Sequence, residues 1–203
     1  MVSNIDICNQ GLVLIGANLI ASFTDNTVES KVANQLYETT LRAMLTKARW
    51  RFATKQAQLT KLTVDPLDKW DSAYQIPNDT ILIHTATVSD NVILYDRYNE
   101  YLYTNTGQND VVVLHYTYQP HEKEFPDYFT QALVFELASL FAGAIARNDQ
   151  LSLLYEKRAR QQLVVARSME SQTQTSRKLN TSLLIEVRNR ATASGVRAVV
   201  PDS

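Results

Sequence analysis

One cysteine, Cys8, stands in 203 residues, which excludes an internal disulfide and any cysteine-rich zinc site and points to a reducing cytoplasm. Glycine and proline are scarce, five of each, leaving little material for phosphate loops or long turns. No phosphate loop, dinucleotide fingerprint, nucleophile elbow or metalloprotease helix occurs. The histidines are three: His84, His115 and His121. A two-histidine site with Glu122 can be drawn, but no short-range ligand spacing supports it, and strand-surface histidines are the better reading. Neither catalysis nor a metal or cofactor is expected. Residues 1–10 have no basic n-region and carry Asp6, so a signal peptide is not expected. No apolar run suits a membrane anchor: the longest, 132–146, is short of the roughly 20 residues a span needs and is broken by Glu136.

What is present is a sharply segregated charge. The net charge of −1 conceals −3 over residues 1–38, +6 over 39–64, −9 over 65–149 and +5 over 150–203. Blocks of this kind give different faces different partners. At 45% hydrophobic and 20% charged, the chain can bury an ordinary core.

Hydrophobic periodicity predicts four main helices. Ser3 caps the first, with Asp6 at the acidic third position, Ile5, Cys8, Leu12 and Ile15 on one face and Gly16 as the stop. The second opens at 24–27 and carries Val28, Val32, Leu36, Met44 and Ala48, widened by Tyr37, Leu41 and Leu45. The central helix starts at Pro126 and is apolar nearly all round, with a thin polar seam at Gln131, Glu136 and Ser139, which marks it as buried. A fourth, 150–174, presents Leu151, Leu154, Tyr155, Ala159, Leu163, Ala166 and Met169 on its apolar face and pairs with the third as an antiparallel hairpin. Between the helix pairs, 80–88, 92–95, 101–104 and 111–118 read as short strands, with a hairpin between the second and third. The expected fold is α+β: an antiparallel bundle of about four helices (1–64 and 121–175), a small antiparallel sheet inserted at 65–120, and an extended C-terminal arm at 176–203.

Three groups of residues are candidates for contact. Arg42, Lys47, Arg49, Arg51 and Lys55 form a basic patch around Trp50 and Phe52; they can complement the dipole of the second helix or face a nucleic acid, and both aromatics read better as core anchors. Seven of the ten tyrosines fall in the β region, and Tyr95, Tyr98, Tyr101 and Tyr103 among them suit a protein interface. The C-terminal arm joins bases (Arg177, Lys178, Arg188, Arg190, Arg197) to an apolar set (Leu183, Leu184, Ile185, Val187), as expected of a segment that orders on a partner.

The order of these elements, and several short words within them, resemble tail tubular protein A and related head-to-tail adaptors of short-tailed bacteriophages. The words are Ile7-Cys8-Asn9-Gln10 through Leu14-Ile15-Gly16-Ala17, Ser22-Phe23-Thr24-Asp25, 31–37, Arg42-Ala43-Met44-Leu45, 48–53, Tyr74-Gln75-Ile76-Pro77-Asn78-Asp79, and the alanine-rich helix at 129–146. The resemblance spans roughly residues 5–175 by order of elements. It implies a virion protein without catalysis, made in the host cytoplasm and assembled as a dodecameric ring at the head-to-tail junction. One end of that ring meets the portal protein and the other the tail nozzle or tube, with genomic DNA passing through the middle. The arm at 176–203 would then dock on the portal and the tyrosines on ring neighbours or the nozzle. The rival reading is a small nucleic-acid-binding module using the 42–55 patch.

Overall fold

The computed structural model describes residues 3–63, 66, 69–107 and 109–172. Helix α1 (Asn4–Leu14) begins as its sequence dictates: Ser3 Oγ accepts from Asp6 N while the Asp6 carboxylate accepts from Ser3 N, a reciprocal capping box. It ends where Gly16 takes φ +72°, a conformation that costs glycine nothing. Beyond the turn, the Asn9 amide holds Ile20 through two 2.9 Å hydrogen bonds, one to its N–H and one to its carbonyl. Helix α2 (Val28–Thr46) is capped by Thr27, whose hydroxyl accepts from Ser30 N. Its buried face is Ser30, Ala33, Tyr37, Thr40, Leu41, Met44 and Leu45, with Val32 and Leu36 half-buried beside it; of the expected stripe Val28 alone is exposed, and Ala48 packs on the core from beyond the helix end.

Helix α3 (Asp127–Ala144) is the centre of the helical core. Phe129, Ala132, Leu133, Leu137, Ala138, Phe141 and Ala142 are fully buried, and all of these but Ala138 and Ala142 pack in one cluster with Ile7, Cys8, Leu12, Leu41, Leu45 and Trp50 from the preceding elements. Gly11 permits the close approach of α1: a Cβ there would stand 3.3 Å from the Phe141 ring. Trp50 is wholly buried, edge-on to Phe129 at 5.2 Å, with its indole N–H donated to the Met44 carbonyl. The polar seam of α3 is fully used. Glu136 takes Lys47 at 2.7 Å, Ser139 exchanges hydroxyl-to-carbonyl bonds with Ser152, and Gln131 faces out.

Helix α4 (Asp149–Gln172) returns along α3. The Ser139–Ser152 bonds near the link and a Tyr128–Glu170 bond at the far end fix the antiparallel sense. Its buried positions are Tyr155, Ala159, Ala166 and Glu170. Leu154 and Met169, expected on the inner face, are 44% and 46% exposed.

The β region corrects the expected fold class. In place of one small inserted sheet there are two four-stranded antiparallel sheets. The strands are β1 (Thr54–Gln58), β2 (Thr60–Lys61), β3 (Ser72–Gln75), β4 (Leu82–Val88), β5 (Asn91–Val92), β6 (Tyr95–Tyr98), β7 (Tyr101–Thr104) and β8 (Val112–Thr117). One sheet runs β1-β8-β4-β5 and the other β2-β3-β7-β6. The expected strands at 80–88, 101–104 and 111–118 are present, whereas the run at 92–95 splits between the two sheets. The hairpin turns through Asn99 at φ 56° and pairs Tyr98 with Tyr101. The sheets share one core of Leu59, Tyr74, Ile76, Ala86, Leu102, Val112, Leu114 and Tyr116, so each covers the other's apolar face. The strands missed in sequence, β1 to β3, are short or polar and owe their pairing to distant partners: Thr54 lies opposite Thr117.

Candidate functional site

The basic 42–55 stretch is not assembled into one surface. Lys47 is held by Glu136, and Lys55 by Asp79 at 3.1 Å with its ammonium 3.7 Å over the Tyr118 ring. Arg51 donates its backbone N–H to Glu170 at 2.7 Å. Arg42 and Arg49 are exposed. Trp50 and Phe52 belong to the aromatic cluster with Phe125 and Phe129, so the Trp50 ring, wholly buried, offers no face for a base to stack on.

The histidines do not converge with Glu122. His84 shares a 2.8 Å hydrogen bond with Thr117, His115 meets Gln56 at 3.3 Å, and Glu122 accepts from the Tyr37 hydroxyl. Burial first, then the nearby Arg49 charge and the His115 ring, holds His84 below the usual histidine value, favouring the neutral ring. Among the described residues no three His, Cys, Asp or Glu side chains stand together as a metal site. Cys8 is buried, and that burial pushes its thiol up to about 12, so it is inert at neutral pH.

The four candidate tyrosines separate. Tyr95 packs against the β core. Tyr101 and Tyr103 stand two apart on β7, on the same sheet face, and Tyr103 meets Tyr98 edge-on at 5.4 Å. Residues not singled out in sequence complete this face. Asp96 accepts from Lys69 (2.9 Å), Trp70 Nε1 (3.2 Å) and the Tyr98 hydroxyl (3.4 Å), and the Lys69 bond foremost lowers its carboxyl below the usual range. The alternation of YDRY could have placed Asp96 on the face of Tyr98, but the arrival of Lys69 and Trp70 from another loop leaves no local trace. The C-terminal arm residues Arg177, Lys178, Leu183, Leu184, Ile185, Val187, Arg188, Arg190 and Arg197 lie outside the described residues.

The helical layer supplies a surface that sequence did not point to. An open groove of about 920 Å³ runs between α1 and α3, with Val13, Leu14, Leu19, Val134 and Phe135 as its apolar lining, Asn9, Gln10, Thr130 and Gln131 as its polar one, and Asp6 and Asp127 as the charged residues in it. Val13 and Leu19 are 61% and 62% exposed. Nearby, α4 turns Leu153, Leu154, Val164, Val165 and Met169 outward. It is held to the bundle by polar clasps: Tyr155 OH to the Leu14 carbonyl at 2.7 Å, Tyr128 OH to Glu170 at 2.5 Å, and the Arg167 guanidinium to the Lys47 carbonyl. Burial, then the Glu170 carboxylate, pushes the Tyr128 hydroxyl well above the usual phenol value, which keeps it a donor. No helix among the described residues is long and apolar enough to cross a membrane.

No family model matches the chain, and no curated protein does either.

Proposed function

We propose that the chain is a structural virion protein: a head-to-tail adaptor whose copies form a ring between portal and tail nozzle, around the path of the genomic DNA. The observation that carries this reading is the apolar surface left uncovered on the helical layer. Val13, Leu19, Leu153, Val164 and Val165 are all at least half exposed, on α1, the turn that follows it and α4. Exposed apolar surface gathered in this way marks an association site. A second exposed pair, Val92 and Leu94 at 75% and 84%, lies in the β region, Leu94 beside Lys69 and Trp70, so contacts are available at both layers. The resemblance to the tail tubular proteins gives the assembly its identity, and the arm at 176–203 follows directly on α4 in sequence to serve as the portal contact.

Electron microscopy of the purified chain, alone and mixed with the portal ring made from the same genome, tests this. Rings coaxial with the portal are expected, dodecameric as in the proteins resembled. A chain that stays monomeric and leaves the portal bare would overturn the reading.

A further inference from the structure

The α1–α3 groove and the outer face of α4 differ in sign and agree in character. The groove is apolar at Val13, Val134 and Phe135 and carries the carboxylates of Asp6 and Asp127, with no lysine or arginine lining it. Asp127 makes no ion pair among the described residues. On α4, Leu153, Lys157, Arg160 and Val164 follow at spacings of four, three and four, which puts them in one line along the helix. All four are exposed, Leu153 and Val164 by 65% and 67%. Lys157, between the two apolar residues, has no carboxylate partner among the described residues, while Arg160 holds Glu156 one turn back. From Leu153 to Val164 the stripe covers about 16 Å, and the groove floor from Asp127 to Phe135 about 12 Å, so the lengths are comparable.

We propose that the occupant of the groove is a second copy of this chain, which seats the Leu153–Lys157–Val164 stripe of its α4 between α1 and α3 of the neighbour. Lys157 then meets Asp127 at one end of the groove, and Val164, seven residues on, meets the apolar end at Val134 and Phe135. Stripe against stripe would oppose bases, and groove against groove would oppose acids, so the like-on-like pairings are disfavoured; the contact proposed is the one-way, head-to-tail form of stripe in groove rather than its reciprocal twofold form. A head-to-tail contact leaves one stripe and one groove unsatisfied at the ends of every open chain, and closes only as a ring or continues as a filament. The inference deepens the adaptor reading and rests on it for closure as a ring.

Cysteine cross-linking of the full chain tests the contact, because the native Cys8 is buried and does not compete. Val13→Cys and Val164→Cys both replace exposed residues, and unchanged thermal unfolding would show that each variant folds. Under mild oxidation the double variant should give a ladder of disulfide-linked dimers, trimers and higher species, with each single variant giving only traces. In parallel, Lys157→Glu should weaken self-association at least tenfold, and Asp127→Lys added to it should recover most of that loss. Rings that form without the ladder would overturn this contact and leave the adaptor reading standing. A dimer from Val164→Cys alone would replace the proposal with a symmetric stripe-on-stripe contact. If Val13→Cys stays open to maleimide in the ring and is shielded only when portal is added, the occupant is the portal and the proposal fails. A chain that sediments as a monomer at all concentrations, with or without portal, overturns both.

Discussion

Helices α3 and α4 lie side by side, antiparallel, and are built on opposite plans. α3 buries nine of its eighteen residues and spends each polar side chain of its seam on a specific partner or on solvent. α4, with twenty-four residues, buries four, one of them the carboxylate of Glu170, and adds hydrogen bonds at its ends to a narrow inner stripe of Tyr155, Ala159, Leu163 and Ala166. A helix buried over half its residues gives a partner no more than the edge it lends to the α1–α3 groove. A helix clasped at a few points keeps its long outer face for one. The difference separates scaffold from contact surface within a single helical layer.

Several measurements can break or sharpen that contrast. The largest effect is expected in α3: Phe129→Ala empties the centre of the aromatic cluster and should cost about 3–5 kcal/mol in urea unfolding. Glu170→Ala leaves the Arg51 N–H and the Tyr128 hydroxyl without their acceptor, a loss of about 2 kcal/mol. That loss should come with faster amide exchange over 149–172 and little change in α3. Tyr155→Phe removes only the bond to the Leu14 carbonyl and should cost about 1 kcal/mol. Leu153→Ser, on the outer face, should leave monomer stability within about 0.5 kcal/mol while weakening association. If Leu153→Ser proved as costly as Phe129→Ala, the contrast would collapse.

The β region has a pH signature of its own. His84 is held below the ordinary value of 6.5 by burial, so on acidification the unfolded chain takes up its proton first. Stability should therefore be flat above that value and fall as pH drops below it towards the folded value. Urea midpoints measured from pH 8 to pH 5 should show this slope, and His84→Asn should reduce it.

The parts of the fold legible in sequence were those with local causes. Ser3 and Asp6 form a capping box within four residues, and the all-round apolarity of 129–142 announces a buried helix. Strand β8 reads from its β-branched run, but β1 is Thr-Lys-Gln-Ala-Gln, and only its ladder with residues 113–117 makes it a strand. That is why one sheet was expected where two occur. On α4 the apolar pattern misled at Leu154 and Met169, which are exposed, while Glu170 is buried because Arg51 and Tyr128 satisfy it. The basic patch was legible as charge but not as a site, since Glu136 and Asp79 reach Lys47 and Lys55 from far along the chain. The α1–α3 groove was invisible for the same reason: its walls, at 6–19 and 127–135, come together from far apart in the chain.

Amide hydrogen exchange, followed in the dilute chain and again in the assembled ring, tests the central claim most directly. Protection of α3 should be high and equal in both states, while residues 149–165 of α4 and residues 9–19 beside the groove gain protection together on assembly. Unchanged exchange in both segments once rings have formed would contradict the assignment of this surface to assembly.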